Sequence, residues 1–261
     1  MQRFITYPFL LLVRLVSRIF WRFEVTWVGE PPAGDRWRGI RICAILNHTS
    51  LYEWVFAGAV PPRFLRRIAL HGVVPVAAKT LERPLVGAFF RRVAAHVVPL
   101  SRDRRGSWRS VLGKIDDPKL MVVILPEGRM MRRTGLDGEG RPMSVRGGIA
   151  DLLQAIPEGR MLLAYSGGLH HVQAPGEHLP RLFRTVRMSF ELVDVRDYRE
   201  RLMAAAGGEE SFRRTVMADM DHRLVTHCPV RPETCAPRKT AADRGVPPPA
   251  LSPGGRPGRG G

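Results

Sequence analysis

A histidine followed closely by a carboxylate is the pair of residues in this sequence best suited to acid–base chemistry. The pair is His48 and Glu53 in "NHTSLYEW", which directly follows the apolar run Ile40–Leu46. If a helix starts near Ser50, Glu53 lies in its first turn and can reach back to the imidazole. A carboxylate on one ring nitrogen fixes the tautomer and leaves the other nitrogen free as a base. Ser50 and Glu53 also have the spacing of a helix capping box, which is the structural alternative for Glu53.

A Pro-Glu-Gly loop occurs twice in almost the same hexapeptide, and the two copies differ in what precedes them. "LPEGRM" (residues 125–130) ends a short apolar run, as expected for a loop that follows a buried strand. "IPEGRM" (residues 156–161) follows a helical stretch and leads into another apolar run. We therefore predict Glu127 at the carboxyl end of a strand and Glu158 in a helix-to-strand turn at the opposite edge of the sheet.

Short apolar runs alternate with helical stretches along the chain, which is the pattern of an α/β fold. The predicted strands are residues 23–32, Ile40–Leu46, His96–Leu100, 120–125, Arg160–Ser166 and 185–193. The main predicted helices are residues 51–60, 84–95, 107–115, 145–155 and 209–226. We predict a mostly parallel central sheet with helices on both faces, preceded by an amphipathic N-terminal helix. Ligands of such sheets bind beyond the carboxyl ends of the strands, so His48, Arg102 and Glu127 should meet at one edge.

These motifs, in this order over roughly residues 24–195, resemble the glycerolipid acyltransferase family, whose best-known members are the 1-acylglycerol-3-phosphate acyltransferases. The first family block, N-H-x-S-x-x-D, is matched by Asn47, His48 and Ser50, with Glu53 in place of the aspartate. The second block, P-x-x-G and then a strand that ends in arginine, is matched by Pro84, Gly87 and Arg102. The third block, F-P-E-G-T-R, is matched by Pro126, Glu127 and Gly128, followed by Arg129 and Met130 instead of the Thr-Arg pair. A later strand, "LLAYSGG", takes the place of the fourth block without its prolines.

The resemblance implies an O-acyltransferase that moves a fatty acyl chain from acyl-CoA or acyl carrier protein to the hydroxyl of a lyso-phospholipid. The most direct acceptor is 1-acylglycerol-3-phosphate, which places the reaction in phospholipid synthesis. His48 would take the proton from the acceptor hydroxyl, and Glu53 would orient His48. The residues implied in acceptor binding are Arg102, Glu127, Gly128 and Arg129. The thioester is a co-substrate, so no bound cofactor, no metal and no covalent enzyme intermediate is implied.

Residues 4–23 combine arginines with many aliphatic and aromatic residues. Their longest uncharged run is too short to span a bilayer, and no cleavage site of a secretory signal follows them. On a helix, one face carries the polar residues Arg3, Thr6, Arg14, Ser17, Arg18 and Arg22. The opposite face carries Ile5, Phe9, Leu12, Val16, Ile19, Phe20 and Phe23. We predict that residues 1–23 form a helix on an anionic membrane surface, in a peripheral or monotopic protein at the cytoplasmic face of the cell membrane. Packing of the apolar face on the domain core is the alternative.

The formal net charge of +17 is compatible with nucleic acid, an anionic membrane or an anionic substrate as a partner. Only four of the 41 basic residues are lysine, a bias that a GC-rich coding sequence would also produce. No zinc finger, basic heptad segment or RNP-type strand supports nucleic acid as a partner. A non-catalytic protein that binds anionic membranes or nucleic acid is the alternative outside catalysis. A different lyso-lipid acceptor is the alternative within it.

The composition divides the chain into three parts. Residues 1–23 are the membrane-surface helix, and residues 24–228 are an acyltransferase-like α/β domain. Residues 229–261 are dense in proline, glycine and arginine without an apolar period, and they are predicted to be a disordered tail. The three cysteines have no metal-ligand spacing, so they are predicted to be reduced structural thiols.

Overall fold

A computed structural model describes residues 2–30, 34–101, 104–177 and 179–229 of the chain. The helices in this part are α1 (Gln2–Phe20), α2 (Pro62–His71), α3 (Ala78–Leu81), α4 (Pro84–Phe90), α5 (Arg104–Ile115), α6 (Gly148–Ala155), α7 (Val195–Ala206) and α8 (Glu209–His227). The strands are β1 (Arg22–Trp27), β2 (Ile40–Leu46), β3 (Gly72–Ala77), β4 (His96–Leu100), β5 (Met121–Ile124), β6 (Arg160–Ser166) and β7 (Thr185–Asp194). A 3-10 helix, Glu53–Gly58, lies between β2 and α2. Apart from Pro229, the predicted tail at 229–261 lies outside the described residues.

The strands form one sheet in the order β1-β7-β6-β2-β5-β3-β4. Strands β2 to β6 are all parallel to one another. Strand β7 is antiparallel to β6, and β1 is parallel to β7. The five parallel strands therefore end at one edge of the sheet, which we call the carboxyl edge, and β1 and β7 begin at that same edge. This arrangement confirms the predicted mostly parallel α/β sheet.

Each face of the sheet is covered by a separate apolar core. One core joins alternate strand residues to α5, α6, α7 and α8, and the other joins the remaining strand residues to α1, the 3-10 helix and α2. In β6, for example, Leu163 and Tyr165 belong to the first core, whereas Leu162 and Ala164 belong to the second. Burial on both faces explains why the central strands are continuous apolar runs. Cys43 lies in the second core, where burial raises the pKa of its thiol to about 12, as expected of a structural cysteine.

The predicted bounds of β2, β4 and β6 are confirmed, and β1, β5 and β7 differ from their predicted bounds only at the ends. Strand β3 was not predicted because Pro75 interrupts a short apolar run, and proline is unusual inside a paired strand. Helices α2 and α7 were not predicted either. The sequence carries their boundary signals, namely Pro62 in the first turn of α2 and Asp194 as the N-cap of α7.

Helix α1 is present as predicted, but its polar face is the one that packs on the domain. Thr6 and Ser17 are buried together with Leu10 and Val13. Two carbonyls of the domain accept hydrogen bonds from this helix: Arg14 Nε donates to the Val60 oxygen (3.0 Å), and Arg18 Nη1 donates to the Gly58 oxygen (3.3 Å). The side chain of Arg3 lies outside the described part of the structure.

The predicted apolar face of α1 is divided between solvent and the domain. Ile5, Leu12 and Ile19 of this face, with the neighbouring Leu15, each keep between 55% and 58% of their surface exposed. Phe9, Phe20 and Phe23 of the same face pack against the second core, so the alternative of packing on the domain holds for this part of the face. Of the helices in the described ranges, none has the length and apolar character that crossing a bilayer requires.

Candidate active site

The turn after β2 has a backbone conformation that turns the chain sharply at the carboxyl edge. Asn47 adopts a φ of 69°, in the left-handed region that asparagine tolerates better than most residues. Its side-chain amide donates to the backbone oxygen of Ser166, at the end of β6, over 2.7 Å. The turn that carries His48 is thus tied to the neighbouring strand.

The Pro-Glu-Gly loop after β5 holds the backbone of His48 from both sides. The amide of His48 donates to Glu127 Oε2 over 2.7 Å, and the His48 carbonyl accepts from the amide of Met131, also over 2.7 Å. Glu127 is only 1% exposed, so its carboxylate lies beneath the turn. A hydrogen bond to a charged acceptor is stronger than one between neutral groups, which makes this an effective restraint on His48.

The ring of His48 is paired with Glu53, as predicted from their spacing. His48 Nδ1 lies 2.7 Å from Glu53 Oε1, and the same oxygen accepts from the amide of Thr49 over 2.9 Å. Nδ1 has the distance of an ion pair, although no acceptor in the described residues lies along a good hydrogen-bond direction from it. Such contacts at active sites commonly become aligned only when substrate is bound. The pairing leaves Nε2 on the other side of the ring as the nitrogen able to accept a proton.

Two carboxylates set the charge state of His48. Burial lowers the pKa of the imidazole, but the charge of Glu53, its contact with the ring and the charge of Glu127 together outweigh burial. The net effect is a pKa above the ordinary value of 6.5. His48 is therefore a stronger base than a free histidine, because the neighbouring carboxylates stabilise its imidazolium form.

The loop that contains the predicted acceptor-binding residues is a tight, internally bonded turn. Gly128 has a φ of 60°, and its amide donates to the Leu125 oxygen over 2.9 Å. A side chain at Gly128 would also approach Arg146, whose Nε donates to the Glu127 carbonyl. Gly128 therefore shapes the loop and presents no side chain to a ligand.

The guanidinium of Arg129 is bonded within the same loop. It contacts the carboxylate of Asp137, which is buried and also accepts from the amides of Glu139 and Arg141. Arg102, the other predicted basic residue, lies outside the described residues. The structure thus brings His48, Glu53 and Glu127 into contact and places Arg129 on Asp137, eight positions along the loop.

The second family block also has a structural role in the described residues. Pro84 begins α4, and Gly87 packs so closely against the backbone of Leu81 that a side chain there would collide with the Leu81 oxygen. Glycine is needed at position 87 because the two backbone segments approach too closely to leave room for a side chain.

Residues after β6 complete the site, and the sequence analysis did not identify them. Ser50 Oγ donates to Gln173 Oε1 over 2.5 Å, and Thr49 Oγ1 accepts from the amide of Leu169 over 2.7 Å. Ser50 therefore does not form the capping box with Glu53, and the short element beginning at Glu53 is a 3-10 helix without a side-chain cap. The signal in the sequence was the Gly-Gly pair directly after β6, at the position of the fourth block.

His170 supports the Pro-Glu-Gly loop from the same segment. Its Nε2 lies 2.8 Å from the Met131 carbonyl, which can only accept, so Nε2 carries the hydrogen. His171 Nε2 makes a similar contact with the Thr185 carbonyl. Among the described residues, no cluster of His, Cys, Asp and Glu has an arrangement that could hold a metal ion.

Glu158, in the second Pro-Glu-Gly copy, lies at the opposite edge of the sheet, as predicted. It is in the turn before β6, is largely exposed and pairs with Arg196 over 3.3 Å. A cleft of about 490 Å³ opens beside it, lined by residues that include Arg41, Arg67 and Asp194. None of its lining residues belongs to the His48 cluster at the carboxyl edge, where an imidazole, a carboxylate paired with its ring and a restrained backbone converge.

Comparison with known proteins adds one family match. Residues 35–165, half of the chain, match the family model described as Acyltransferase, and this span contains His48, Glu53 and Glu127. No curated protein matches the chain. Among solved structures, the chain is similar to that of the "1-acyl-sn-glycerophosphate (LPA) acyltransferase, PlsC, from Thermotoga maritima", with 15% sequence identity and a TM-score of 0.49. The similarity covers 83% of this chain and 79% of that one.

We expect the pKa of His48 to lie above 6.5 and to fall when either neighbouring carboxylate is neutralised. Both negative charges raise this pKa, so Glu53→Gln and Glu127→Gln should each lower it, whereas Glu158→Gln at the far edge should leave it unchanged. NMR titration of the imidazole signals, with His48→Ala to assign the resonance, measures the shifts. Equal pKa values in the Glu127→Gln and Glu158→Gln proteins would contradict the described geometry.

Proposed function

The chain belongs to the acyltransferase family, and from this premise we propose that it transfers a fatty acyl chain from a thioester donor to the hydroxyl of a lyso-lipid. The proposed acceptor is 1-acylglycerol-3-phosphate, and the proposed donor is acyl-CoA or acyl carrier protein. The observation that carries the proposal is the contact of His48 Nδ1 with Glu53 at 2.7 Å, which leaves Nε2 as the base. His48, Glu53 and Glu127 all lie within the part of the chain that matches the family.

The proposed reaction is a direct transfer between two bound substrates. His48 Nε2 takes the proton of the acceptor hydroxyl while that oxygen attacks the thioester carbonyl. The carbon–sulfur bond then breaks, and the leaving thiolate takes the proton back from His48, so the enzyme returns to its starting state. Glu53 stabilises the imidazolium during the interval between the two proton transfers.

The position of Arg129 favours a second candidate for the acceptor. Its guanidinium already contacts the buried carboxylate of Asp137, and this loop has Arg-Met where the family pattern has Thr-Arg. A phosphate would have to compete with Asp137 for Arg129, or be bound by other arginines. Another lyso-lipid is therefore kept as the alternative acceptor, and a direct assay should include several headgroups.

We further propose that the protein acts as a peripheral or monotopic protein on an anionic membrane surface, at the cytoplasmic face of the cell membrane. The support is the solvent-exposed apolar face of α1, which consists of Ile5, Leu12, Leu15 and Ile19. An apolar helix face of this kind suits the boundary between lipid headgroups and acyl chains. On the opposite face, Arg14 and Arg18 each donate a hydrogen bond to a backbone carbonyl of the domain.

Replacement of His48 should remove nearly all transfer while the protein stays folded. Loss of a general base alone typically lowers the rate by about 10²–10⁴-fold. Purified His48→Ala and wild-type protein should be compared with labelled acyl-CoA and acyl carrier protein donors against a panel of lyso-lipids. Near-normal turnover by a folded His48→Ala protein would refute the proposed mechanism.

The orienting role of Glu53 predicts a graded response in the same assay. Glu53→Asp keeps the charge and restores the residue of the family pattern, so it should retain measurable activity. Glu53→Ala leaves Nδ1 without its partner and should lose much more. Equal activity of the two variants would mean that the carboxylate does not act on the ring.

Glu127→Gln should lower kcat and move the acid limb of the pH profile. The base must be neutral to work, so kcat/KM falls as the pH drops through the raised pKa of His48. Removing the charge of Glu127 lowers that pKa and shifts the acid limb to lower pH, an effect that a merely structural residue would not produce. The matched control is Glu158→Gln, where an exposed carboxylate is changed and stability should vary by less than about 0.5 kcal/mol. Equal losses of activity in the two variants would mean that the carboxyl edge is not the active edge of the sheet.

A further inference from the structure

A second exposed apolar segment lies beside α1, in the loop that leads into β7. Leu179 is 81% exposed and Phe183 is 66% exposed, and Leu182 between them is also exposed. Phe183 has a φ of 57°, which is a strained conformation for a bulky residue. Strain of this kind is found where the surrounding structure imposes it, and often at functional positions. Here it holds an aromatic ring out in solvent.

The loop is fixed to the end of α1 by backbone hydrogen bonds and by a ring contact. The amide of Phe183 donates to the Phe20 oxygen over 2.6 Å, and the amide of Arg22 donates to the Arg184 oxygen over 3.1 Å. The rings of Phe20 and Phe183 are 6.2 Å apart between centroids. The loop therefore contacts the last turn of α1, and we call the exposed apolar residues of α1 and of residues 179–183 together the apolar ridge.

The direction of the outer strands puts the loop end of this ridge at the carboxyl edge. Strands β1 and β7 both begin at that edge. Phe20 and Phe183, which precede them, therefore lie at the same edge of the sheet as His48. The loop also contacts the segment that completes the site, since the amide of Arg181 donates to the Val172 oxygen over 2.7 Å.

Arginines border the ridge. Arg18, Arg22, Arg181 and Arg184 are all exposed on α1, at the start of β1 and in the loop itself. Arg181 is paired with Glu177 over 2.7 Å and Arg18 donates to the Gly58 oxygen, whereas no acidic partner of Arg22 or Arg184 is found among the described residues. Apolar side chains within a rim of arginines match a bilayer whose headgroups are anionic, because the side chains enter the apolar region while the guanidinium groups stay at the phosphate level. The charge of the rim favours such a bilayer over a neutral protein partner.

We propose that residues 179–184 are a second membrane-inserting element, which enters an anionic bilayer together with α1 and turns the carboxyl edge toward the lipid. This inference rests on the proposed function, because it explains how a membrane-embedded acceptor reaches His48. The protein would then contact the bilayer at two places, α1 and the loop beside the site.

The test uses full-length protein and sedimentation with vesicles of phosphatidylglycerol and phosphatidylcholine, alongside vesicles of phosphatidylcholine alone. The informative variants are Leu179→Ser and Phe183→Asn, since asparagine tolerates the positive φ and replaces the apolar ring with a small polar amide. Each should weaken binding to the anionic vesicles, on the order of tenfold for Phe183, from the lost burial of apolar surface. Phe183→Trp should bind at least as well as wild type.

Met203→Ser is the matched control. Met203 is 54% exposed on α7, which begins at the opposite edge of the sheet, and its replacement should not change vesicle binding. The loop variants should keep wild-type transfer to a short-chain acceptor that is soluble as a monomer, and lose transfer only to acceptor in vesicles. His48→Ala should show the reverse, with normal vesicle binding and no transfer to either acceptor.

Several outcomes would overturn the inference. Unchanged binding of Leu179→Ser and Phe183→Asn would exclude the loop from the membrane contact, even if transfer activity is found. A change in oligomeric state of the Phe183→Asn protein without vesicles would assign the ridge to contact between copies of the chain. A separate outcome would refute only the proposed function: if His48→Ala kept full activity while wild-type protein bound anionic vesicles and the loop variants did not, the mechanism would fail and the membrane contact would stand.

Discussion

The hydrogen bond from the amide of His48 to the buried carboxylate of Glu127 is the contact on which the site depends. A buried carboxylate is costly unless it is well bonded, so the turn after β2 must present its amide at the right place. The sheet makes this possible because β2 and β5 are neighbours, with Ala44 level with Ile124. Their ends therefore lie side by side, and the two family motifs meet although 79 positions separate His48 from Glu127.

The same arrangement balances two demands on the imidazole. Burial lowers the pKa of His48, while the two carboxylates raise it. With both present, the ring is a strong base that must be neutral before it can react. Glu127 restrains the backbone of His48 and Glu53 contacts its ring, and both carboxylates also raise the pKa of the imidazole.

Much of this could be predicted from the sequence, because the relevant signals are local. Apolar runs predicted the bounds of β2, β4 and β6. The positions just after β2 and β5 indicated His48 and Glu127 as site residues. The direction of β7 could not be predicted, since a strand looks alike whether it pairs parallel or antiparallel. The role of Gln173 and His170 depends on how the segment after β6 folds back over the turn, which is a long-range contact without a periodic signal. The orientation of α1 was also beyond the sequence. An amphipathic pattern identifies two faces, and here hydrogen bonds to the Gly58 and Val60 carbonyls decide which one meets the domain.

Those two hydrogen bonds attach α1 rigidly to the domain. Arg18 holds the last residue of the 3-10 helix that begins with Glu53, so the N-terminal helix and the His48–Glu53 pair are joined through a single short element. In the proposed membrane contact, the exposed face of α1 would rest on lipid with no hinge between it and the proposed base. The height of His48 above the bilayer would then be fixed, and an acceptor would react only if its hydroxyl reached that height. Selection among lyso-lipids would in this case be a matter of vertical reach, decided by how far each headgroup lifts its hydroxyl, before any side chain has recognised it.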